Sequence, residues 1–322
     1  MIELVAQAET MREVVRLALR VASTDANVLI TGESGTGKDV LAHLIHARSS
    51  RSANELVKID CASLPSELLE AELFGYERGA FTGATEAKPG RFEAAHKGTL
   101  LLDEIAHLST DAQAKLLRVI ERREFERLGG RRTIKVDARL IALTNVELED
   151  AVKRRSFRED LFYRLNVVRL HLPPLRERRE DVPELTERFL KMYAAKHGRR
   201  ANALTPAALA AFTAYDFPGN VRELANTIER AVIVSSGQRI EADDLPDSLH
   251  AAIAFQKRRT RRQTLAELEA DYIKETLAAA KGNKSEAARL LGISRKNLYE
   301  KLARYGEGVG VRVKGVEKND ER

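Results

Sequence analysis

The chain has 322 residues, of which 43% are hydrophobic and 32% are charged. This favours a globular protein of two or three domains and excludes a stapled miniprotein, a fibrous protein and a disordered chain. No apolar run approaches the roughly 18 residues of a membrane-spanning helix, and the N-terminus lacks a signal-peptide pattern. Cys61 is the single cysteine, so we expect no internal disulfide and a cytoplasmic protein without a membrane partner.

The net charge of +6 is unevenly distributed along the chain. Positions 251–305 contain 13 Lys and Arg residues against 6 Asp and Glu, whereas positions 1–250 contain 37 against 38. A basic segment attached to a larger neutral body is typical of a nucleic-acid-binding module. From charge alone, a solvated basic face is the alternative.

Short apolar runs alternate with helical patterns in the first half of the chain, at positions 27–31, 98–102 and 136–143. This alternation predicts an α/β fold with a parallel sheet. After about residue 174 the strand-like runs stop. Helical spacing then predicts a helical subdomain with segments at 182–198, 205–217 and 220–236.

A glycine-rich segment follows the first predicted strand and precedes an apolar-periodic helix. Its residues are Gly32, Glu33, Ser34, Gly35, Thr36, Gly37, Lys38 and Asp39. This strand, loop and helix context predicts a P-loop, in which backbone N–H groups surround a phosphate and Lys38 reaches the β- and γ-phosphates. The usual last residue is Ser or Thr, which binds Mg²⁺; here Asp39 takes that position, and we assign it to the metal. A glycine-rich turn before an amphipathic helix is the alternative.

Two acidic residues end the predicted strand at 98–102. In this position Asp103 can organise Mg²⁺ and Glu104 can polarise an attacking water. Alone such a pair often marks only a strand end, but together with the P-loop it predicts nucleotide hydrolysis. The strand at 140–145 ends in Thr144 and Asn145, which we place near the γ-phosphate at the carboxyl edge of the sheet.

The hexapeptide GAFTGA consists of Gly79, Ala80, Phe81, Thr82, Gly83 and Ala84. With the flanking ELFGYERG and ATEAKPGRFEAAHKGTLLLDEI, it resembles the bacterial enhancer-binding activators of sigma-54 RNA polymerase, which are AAA+ ATPases. The resemblance covers nearly the whole chain. It implies that ATP is the nucleotide, that hydrolysis moves this loop, and that the loop contacts the sigma factor. The glycines free the backbone around Phe81; inward packing of Phe81 as a core residue is the alternative.

Three arginines match functional positions of the same family. Arg158 and Arg164, in the segment 157–178, match arginines that touch the γ-phosphate of a neighbouring subunit, which would make hydrolysis depend on assembly. Two surface ion pairs are the alternative for these residues. Arg222, in the segment 217–224, matches the lid arginine that contacts phosphate within its own subunit.

Two positions depart from the family pattern. The family usually carries Glu where this chain has Asp39, a difference of one methylene. It usually carries Asn where this chain has Asp60, and that Asn restrains the catalytic Glu. An ionised Asp only accepts hydrogen bonds, so we predict that Glu104 is restrained differently here.

The segment 264–306 predicts a helix-turn-helix. Apolar positions at 265, 268, 272 and 277 indicate its first helix, which Gly282 ends, and Ser294 caps a basic third helix. Such a helix lies in the major groove of DNA. The unit resembles the Fis-type domain of the same family, which implies a palindromic enhancer site. The residues that we assign to DNA are Ser294, Arg295, Lys296, Asn297, Tyr299, Lys301 and Arg304.

The predicted organisation has five parts. They are an AAA+ α/β subdomain at 1–173, a helical lid at 174–250, a basic linker at 251–263, the helix-turn-helix at 264–306 and a tail at 307–322. The resemblance implies an ATP-dependent activator that forms dimers and a hexameric ring and remodels the sigma-54 holoenzyme. A nucleotide-gated DNA-binding regulator without remodelling is the alternative. The family often places a regulatory domain before the ATPase. We expect none here, because the first predicted strand begins near residue 27. In that case a separate protein controls the ATPase, or the chain is truncated.

Overall fold

The computed structural model describes residues 4–199, 203–235, 237–247, 249 and 264–305, and the chain divides into two compact units after residue 253. The first unit contains a five-stranded parallel sheet with strand order β2-β3-β6-β1-β7. Its strands are β1 (Val28–Thr31), β2 (Leu56–Asp60), β3 (Thr99–Asp103), β6 (Arg139–Thr144) and β7 (Val168–His171). The predicted α/β class with a parallel sheet is confirmed.

Helices cover both faces of this sheet. They are α1 (Glu9–Ala22), α2 (Lys38–Ala47), α3 (Ser66–Phe74), α4 (Arg91–Ala94), α5 (Thr110–Arg122), α6 (Leu148–Lys153) and α7 (Glu159–Leu165). Alternate residues of β3 pack in the hydrophobic cores on opposite sides of the sheet, because successive side chains of a strand point to opposite faces. Leu100 and Leu102 pack in the core that contains Phe74, whereas Leu101 packs in the core that contains Met11. Burial on both faces explains the continuous apolar run of this strand.

Strand register brings the ends of distant segments together. Asp60 pairs with Asp103 across β2 and β3, and Thr31 pairs with Thr144 across β1 and β6. A two-stranded antiparallel hairpin of β4 (Glu124–Glu126) and β5 (Thr133–Lys135) lies outside the main sheet. The loops that follow the parallel strands therefore meet at one edge, where ligands bind in open α/β folds.

The part that follows β7 is mainly helical, as predicted. Its helices are α8 (Val182–His197), α9 (Pro206–Ala214) and α10 (Asn220–Val234), and they enclose a core with stacked Phe212 and Phe217 rings. Thr205 caps α9 by accepting a hydrogen bond from the backbone N of Ala208 at 3.3 Å. The expectation that strands stop after residue 174 is wrong in one detail, since β8 (Ala203–Leu204) and β9 (Arg239–Ile240) form a short parallel pair.

The second unit consists of three capped helices, α11 (Leu265–Ala279), α12 (Lys284–Leu290) and α13 (Arg295–Arg304). Side-chain caps begin them at Thr264, Asn283 and Ser294. Their core contains Ile273, Ala287, Ala288, Leu298 and Leu302.

The first helix of this unit differs from its sequence pattern. Leu265, Leu268 and Tyr272 are 87%, 49% and 62% exposed, and Ile273 supplies the buried contact instead. The reason is geometric, because α12 and α13 pack on only one side of α11 and leave the neighbouring apolar positions uncovered. The predicted linker at 251–263 and tail at 307–322 lie outside the described residues. Within the described ranges, no helix is long and apolar enough to cross a lipid bilayer.

Candidate functional site

The predicted glycine-rich loop lies between β1 and α2. At Gly35 the backbone φ is +78°, and a β-carbon would lie 2.4 Å from the carbonyl oxygen of Gly219. At Gly37, which precedes α2, φ is +100° and a β-carbon would meet no atom within 4 Å. Glycine is therefore required at Gly35 and favoured at Gly37, where the open side leaves space at the N-terminus of a helix. This is the backbone geometry of a phosphate cradle.

Lys38 lies inside this loop and is only 7% exposed. Its Nζ donates hydrogen bonds to the carbonyl oxygens of Gly32 at 2.8 Å and Glu33 at 3.2 Å. Burial lowers the pKa of Lys38, and the carboxylates of Glu104 and Asp103 oppose that effect. A phosphate oxygen in the loop would replace a carbonyl as the acceptor of this ammonium group.

Two acidic residues that sequence reasoning assigned to a metal are joined by a lysine that it missed. Lys58 Nζ lies 2.8 Å from Asp39 Oδ1 and 2.9 Å from Asp103 Oδ2. Asp39 belongs to the first turn of α2 and Asp103 to the end of β3. The structure thus brings Asp39 and Asp103 to one edge of the sheet, beside Lys38.

Glu104 follows β3 with a left-handed φ of +52°. Its Oε2 accepts a hydrogen bond from the backbone N of Asn145 at 3.2 Å. Asp60 Oδ1 instead accepts from the backbone N of Ala62 at 2.9 Å, and within the described residues no hydrogen bond joins Asp60 to Glu104. Glu104 is held by the main chain after β6, while Asp60 stabilises its own turn.

The helical lid contacts the glycine-rich loop directly. Arg222 Nη1 donates to Ser34 Oγ at 2.8 Å, and Asn220 Nδ2 donates to the carbonyl oxygen of Ser34 at 3.0 Å. Arg176 binds the Glu33 carboxylate at 2.7 and 2.9 Å. The hydrogen bond from Arg176, followed by that from Asn220, lowers the pKa of Glu33 to about 2. These hydrogen bonds tie the glycine-rich loop to the lid.

Several of these groups line a cleft of about 520 Å³. The predicted residues that line it are Ser34, Gly35, Gly37, Lys38, Asp39, Asp60, Asp103, Glu104 and Arg222. Phe189 and Tyr193 of α8 add an aromatic wall, with ring centroids 6.3 Å apart. Sequence reasoning missed both rings, because aromatics four residues apart on an amphipathic helix are indistinguishable from core positions.

The 79–84 segment forms a compact turn. The backbone N of Gly79 donates to the carbonyl oxygen of Ala84 at 2.8 Å, and the N of Ala84 donates to that of Phe81 at 3.0 Å. Phe81 packs edge-on against Tyr76, with ring centroids 4.9 Å apart, and remains 40% exposed. Phe81 is therefore not a core residue, and its ring is accessible to a partner.

Arg158 and Arg164 lie outside the cleft lining. Arg158 pairs with Asp160 at 2.7 Å, and Arg164 pairs with Glu121 at 3.0 Å. Both arginines therefore form surface ion pairs within this chain, and exposed pairs of this kind contribute little to the free energy of unfolding. Their exposure leaves them accessible to a second copy, so the assignment to a neighbouring subunit stays a prediction.

The third helix of the second unit presents most of its predicted DNA-facing residues to solvent. Leu298 and Leu302 are buried beneath it. The exposed members are Ser294, Arg295, Lys296, Asn297, Tyr299 and Arg304. Lys301 is instead half-buried and pairs with Glu269 of α11. We therefore separate Lys301, which ties two helices together, from the exposed basic residues.

Comparison with known families covers nearly the whole chain. Residues 4–171 match the Sigma-54 interaction domain, and residues 176–262 match the AAA+ ATPase lid domain. The chain belongs to the sigma-54 activator family. Residues 264–305 match the Fis family of bacterial regulatory proteins, so this chain carries a helix-turn-helix of the DNA-binding type.

Two regulatory proteins are similar to most of this chain. Regulatory protein AtoC of Escherichia coli is 46% identical over 304 residues, which are 92% of this chain and 66% of AtoC. Transcriptional regulatory protein ZraR of Salmonella typhimurium is 48% identical over 88% of this chain and 64% of ZraR. The chain thus spans just under two thirds of the length of both relatives.

A solved structure of the same architecture contains a nucleotide. The crystal structure of NtrX from Brucella abortus in complex with ATP has a TM-score of 0.73 and 36% identity to this chain. The similarity covers 95% of this chain and 70% of NtrX. The fold of the activator family is therefore established for this chain.

Proposed function

We propose that this activator binds Mg²⁺ and ATP in the cleft and uses ATP hydrolysis to remodel the sigma-54 RNA polymerase closed complex through the 79–84 loop. The observation that carries the proposal is the convergence of Lys38, Glu104 and Arg222 on one cleft. NtrX, which shares this fold, has been crystallised with ATP. The alternative, a DNA-binding regulator that uses the nucleotide only to assemble, would give neither the 79–84 loop nor the Asp103 and Glu104 pair a task.

The residues present fit a nucleotide and a magnesium ion. Gly35 and Gly37 shape a loop whose N–H groups can surround an anion. The Lys38 ammonium group donates hydrogen bonds to two carbonyl oxygens, which phosphate oxygens can replace as acceptors. Asp103 and Asp39 offer the carboxylate oxygens that Mg²⁺ prefers. Within the described ranges, no cluster of three or more His, Cys, Asp or Glu residues can hold a metal alone. This suits an ion that takes most of its ligands from phosphates and water. When bound, magnesium neutralises charge on the phosphate oxygens.

Hydrolysis needs a water that is held and polarised. We assign this role to Glu104, whose carboxylate is fixed by the backbone N of Asn145 at 3.2 Å and keeps one oxygen for the water. When nucleotide binds, the Arg222 guanidinium group leaves Ser34 and binds a phosphate instead. This exchange links the lid to the state of the nucleotide. Lys38 orients the phosphates through its ammonium group.

The outward position of Arg158 and Arg164 suits a ring in which each subunit completes the site of its neighbour. We propose that one or both serve as arginine fingers, and a mixing experiment tests this. The Lys38→Ala and Arg158→Ala variants are each expected to be inactive, and an equimolar mixture is expected to recover hydrolysis at interfaces that combine an intact Lys38 with an intact Arg158. A mixture as inactive as its components would contradict the role in trans.

The second unit would anchor the ring at a palindromic enhancer. Base contacts are expected from the exposed start of α13, at Arg295, Lys296 and Asn297, as in other helix-turn-helix units. Arg295→Ala should weaken binding to the specific site, whereas Lys301→Ala should mainly destabilise the unit by releasing Glu269. Gel-shift titrations and thermal unfolding separate the two effects.

The loop assignment is tested with an ADP-metal-fluoride mimic of the transition state. Wild-type chain is expected to hydrolyse ATP and to bind sigma-54 in the presence of the mimic. Thr82→Ala should still hydrolyse ATP but no longer bind sigma-54. Thr85→Ala, an exposed residue just outside the hexapeptide, is the matched control and should behave as wild type. If all three hydrolyse ATP and none binds sigma-54, remodelling is wrong and nucleotide-gated DNA binding takes its place.

A further inference from the structure

Lys58 occupies an unusual position on an edge strand. Its neighbours on β2, Val57 and Ile59, are buried at 4% and 6% exposure, so the lysine side chain lies on the opposite face of the sheet from that core. Its Nζ bridges Asp39 Oδ1 at 2.8 Å and Asp103 Oδ2 at 2.9 Å. These are the two carboxylates that we assign to magnesium.

One ammonium group therefore offsets two negative charges at the metal position. Lys38 interacts with Asp103 only at longer range, since its Nζ donates its hydrogen bonds to the loop carbonyls of Gly32 and Glu33. Without a cation between them, Asp39 and Asp103 would repel each other and also repel the phosphates of an incoming nucleotide.

We infer that Lys58 is a built-in counter-ion that lets the cleft bind a nucleotide before magnesium and sets the magnesium concentration that the site requires. This inference rests on the proposed function, since it takes the cleft as a nucleotide site. Lys58 is a positioning residue: it acts on Asp39 and Asp103.

Removing the Lys58 ammonium group should change the affinity for magnesium and the affinity for magnesium-free nucleotide in opposite directions. Removing the ammonium group leaves both carboxylates free, so magnesium is attracted more strongly. In the absence of magnesium, the same change exposes the nucleotide to two uncompensated charges. A purely structural lysine would instead weaken both affinities together. The Lys58 side chain is 36% exposed, so solvent and salt screening limit each effect to about threefold to tenfold.

The test is equilibrium binding of a fluorescent, non-hydrolysable ATP analogue to the full chain, in EDTA and across a magnesium titration. Lys58→Met is expected to lower the half-saturating magnesium concentration by about threefold to tenfold and to weaken binding in EDTA by a similar factor. Lys58→Arg keeps the charge and is expected to stay near wild type. Lys191→Met, which removes a lysine paired with Glu187 along one helix, is the matched control and should change neither value.

The outcomes separate this inference from the proposed function. Equal magnesium requirements for wild type and Lys58→Met, with nucleotide bound by both, would overturn the counter-ion role and leave the nucleotide site intact. Weaker binding of both magnesium and nucleotide in Lys58→Met would also overturn it, in favour of a structural role. Wild-type chain that binds no analogue at any magnesium concentration would overturn both proposals. Circular dichroism of each variant shows whether it is folded.

Discussion

A buried arginine connects the glycine-rich loop to the start of the chain. Arg178 is 2% exposed, and its Nη2 donates to the carbonyl oxygen of Thr36 at 2.5 Å. Its Nη1 lies 3.7 Å from the carboxylate of Asp181, which is fully buried. Asp181 Oδ1 in turn accepts from the backbone N of Gln7 at 2.6 Å and of Ala8 at 2.9 Å.

Replacing Arg178 with Met removes the buried charge but keeps much of the volume. The Thr36 carbonyl then loses a charge-assisted bond, a type worth about 1.5–3 kcal/mol. The Asp181 carboxylate becomes an uncompensated buried charge; burial already raises its pKa, and its Oδ2 has no hydrogen-bond partner. Breaking one side of a buried pair costs about 3–5 kcal/mol. Because the Nε of Arg178 is also unpartnered, we expect the lower end, about 3 kcal/mol.

The assay is urea unfolding of the full chain followed by far-UV circular dichroism. Adding Asp181→Asn to Arg178→Met should recover about 1–2 kcal/mol, because Asn keeps the acceptor for both backbone N–H groups and carries no charge. Arg188→Met, which breaks a partly exposed pair with Glu184, is the control and should cost less than about 1 kcal/mol. If Arg178→Met is no more destabilising than Arg188→Met, the account of a buried charge network is wrong.

Three further predictions concern the same unit. Gly35→Ala should lower nucleotide affinity by at least about tenfold, because its β-carbon would meet Gly219. Gly37→Ala should lower the free energy of unfolding by only the roughly 1–2 kcal/mol of a left-handed backbone, since its β-carbon would meet no atom. Nucleotide-binding titrations and urea unfolding compare the two variants. The Glu33 pKa is lowered from 4.5 to about 2, so its contribution to stability is complete above pH 4.5 and is lost as the pH falls toward 2. The difference in melting temperature between wild type and Glu33→Gln should close over that range. Cys61 is buried and its pKa is raised to about 12, so an aromatic disulfide reagent at pH 8 should label it only after unfolding.

The apolar pattern of the sequence predicted the three central strands of the sheet but not its two edge strands. β1, β3 and β6 lie in the middle of the sheet and read as apolar runs. β2 and β7 are the two edge strands, and each carries a cation, Lys58 or Arg169, on a partly exposed face. Charged residues interrupt the apolar run, so periodicity alone does not reveal these strands.

The candidate site was predictable where chemistry lies in consecutive residues. The glycine-rich loop and the acids after β3 were found in this way. The bridge from Lys58 to Asp39 was not, because it spans 19 positions and depends on how β2 packs beside α2. Likewise, the bond from Asn145 to Glu104 uses a main-chain N–H, which has no residue signature. This bond holds Glu104 without contacting Asp60; that the restraint on Glu104 differs from the family pattern stays a prediction, which the ATPase rates of Asp60→Asn would test.

The contact between Phe81 and Tyr76 makes the position of the 79–84 loop optically readable. The chain contains no tryptophan, so Tyr76→Trp would introduce a single indole with Phe81 as its neighbour, in place of the rings that lie 4.9 Å apart. When Phe81 moves away, that indole gains water and its emission shifts to longer wavelength. If the loop moves with the nucleotide, as we propose, that movement can be followed as a shift in the emission wavelength of the indole, without a label and without the sigma factor.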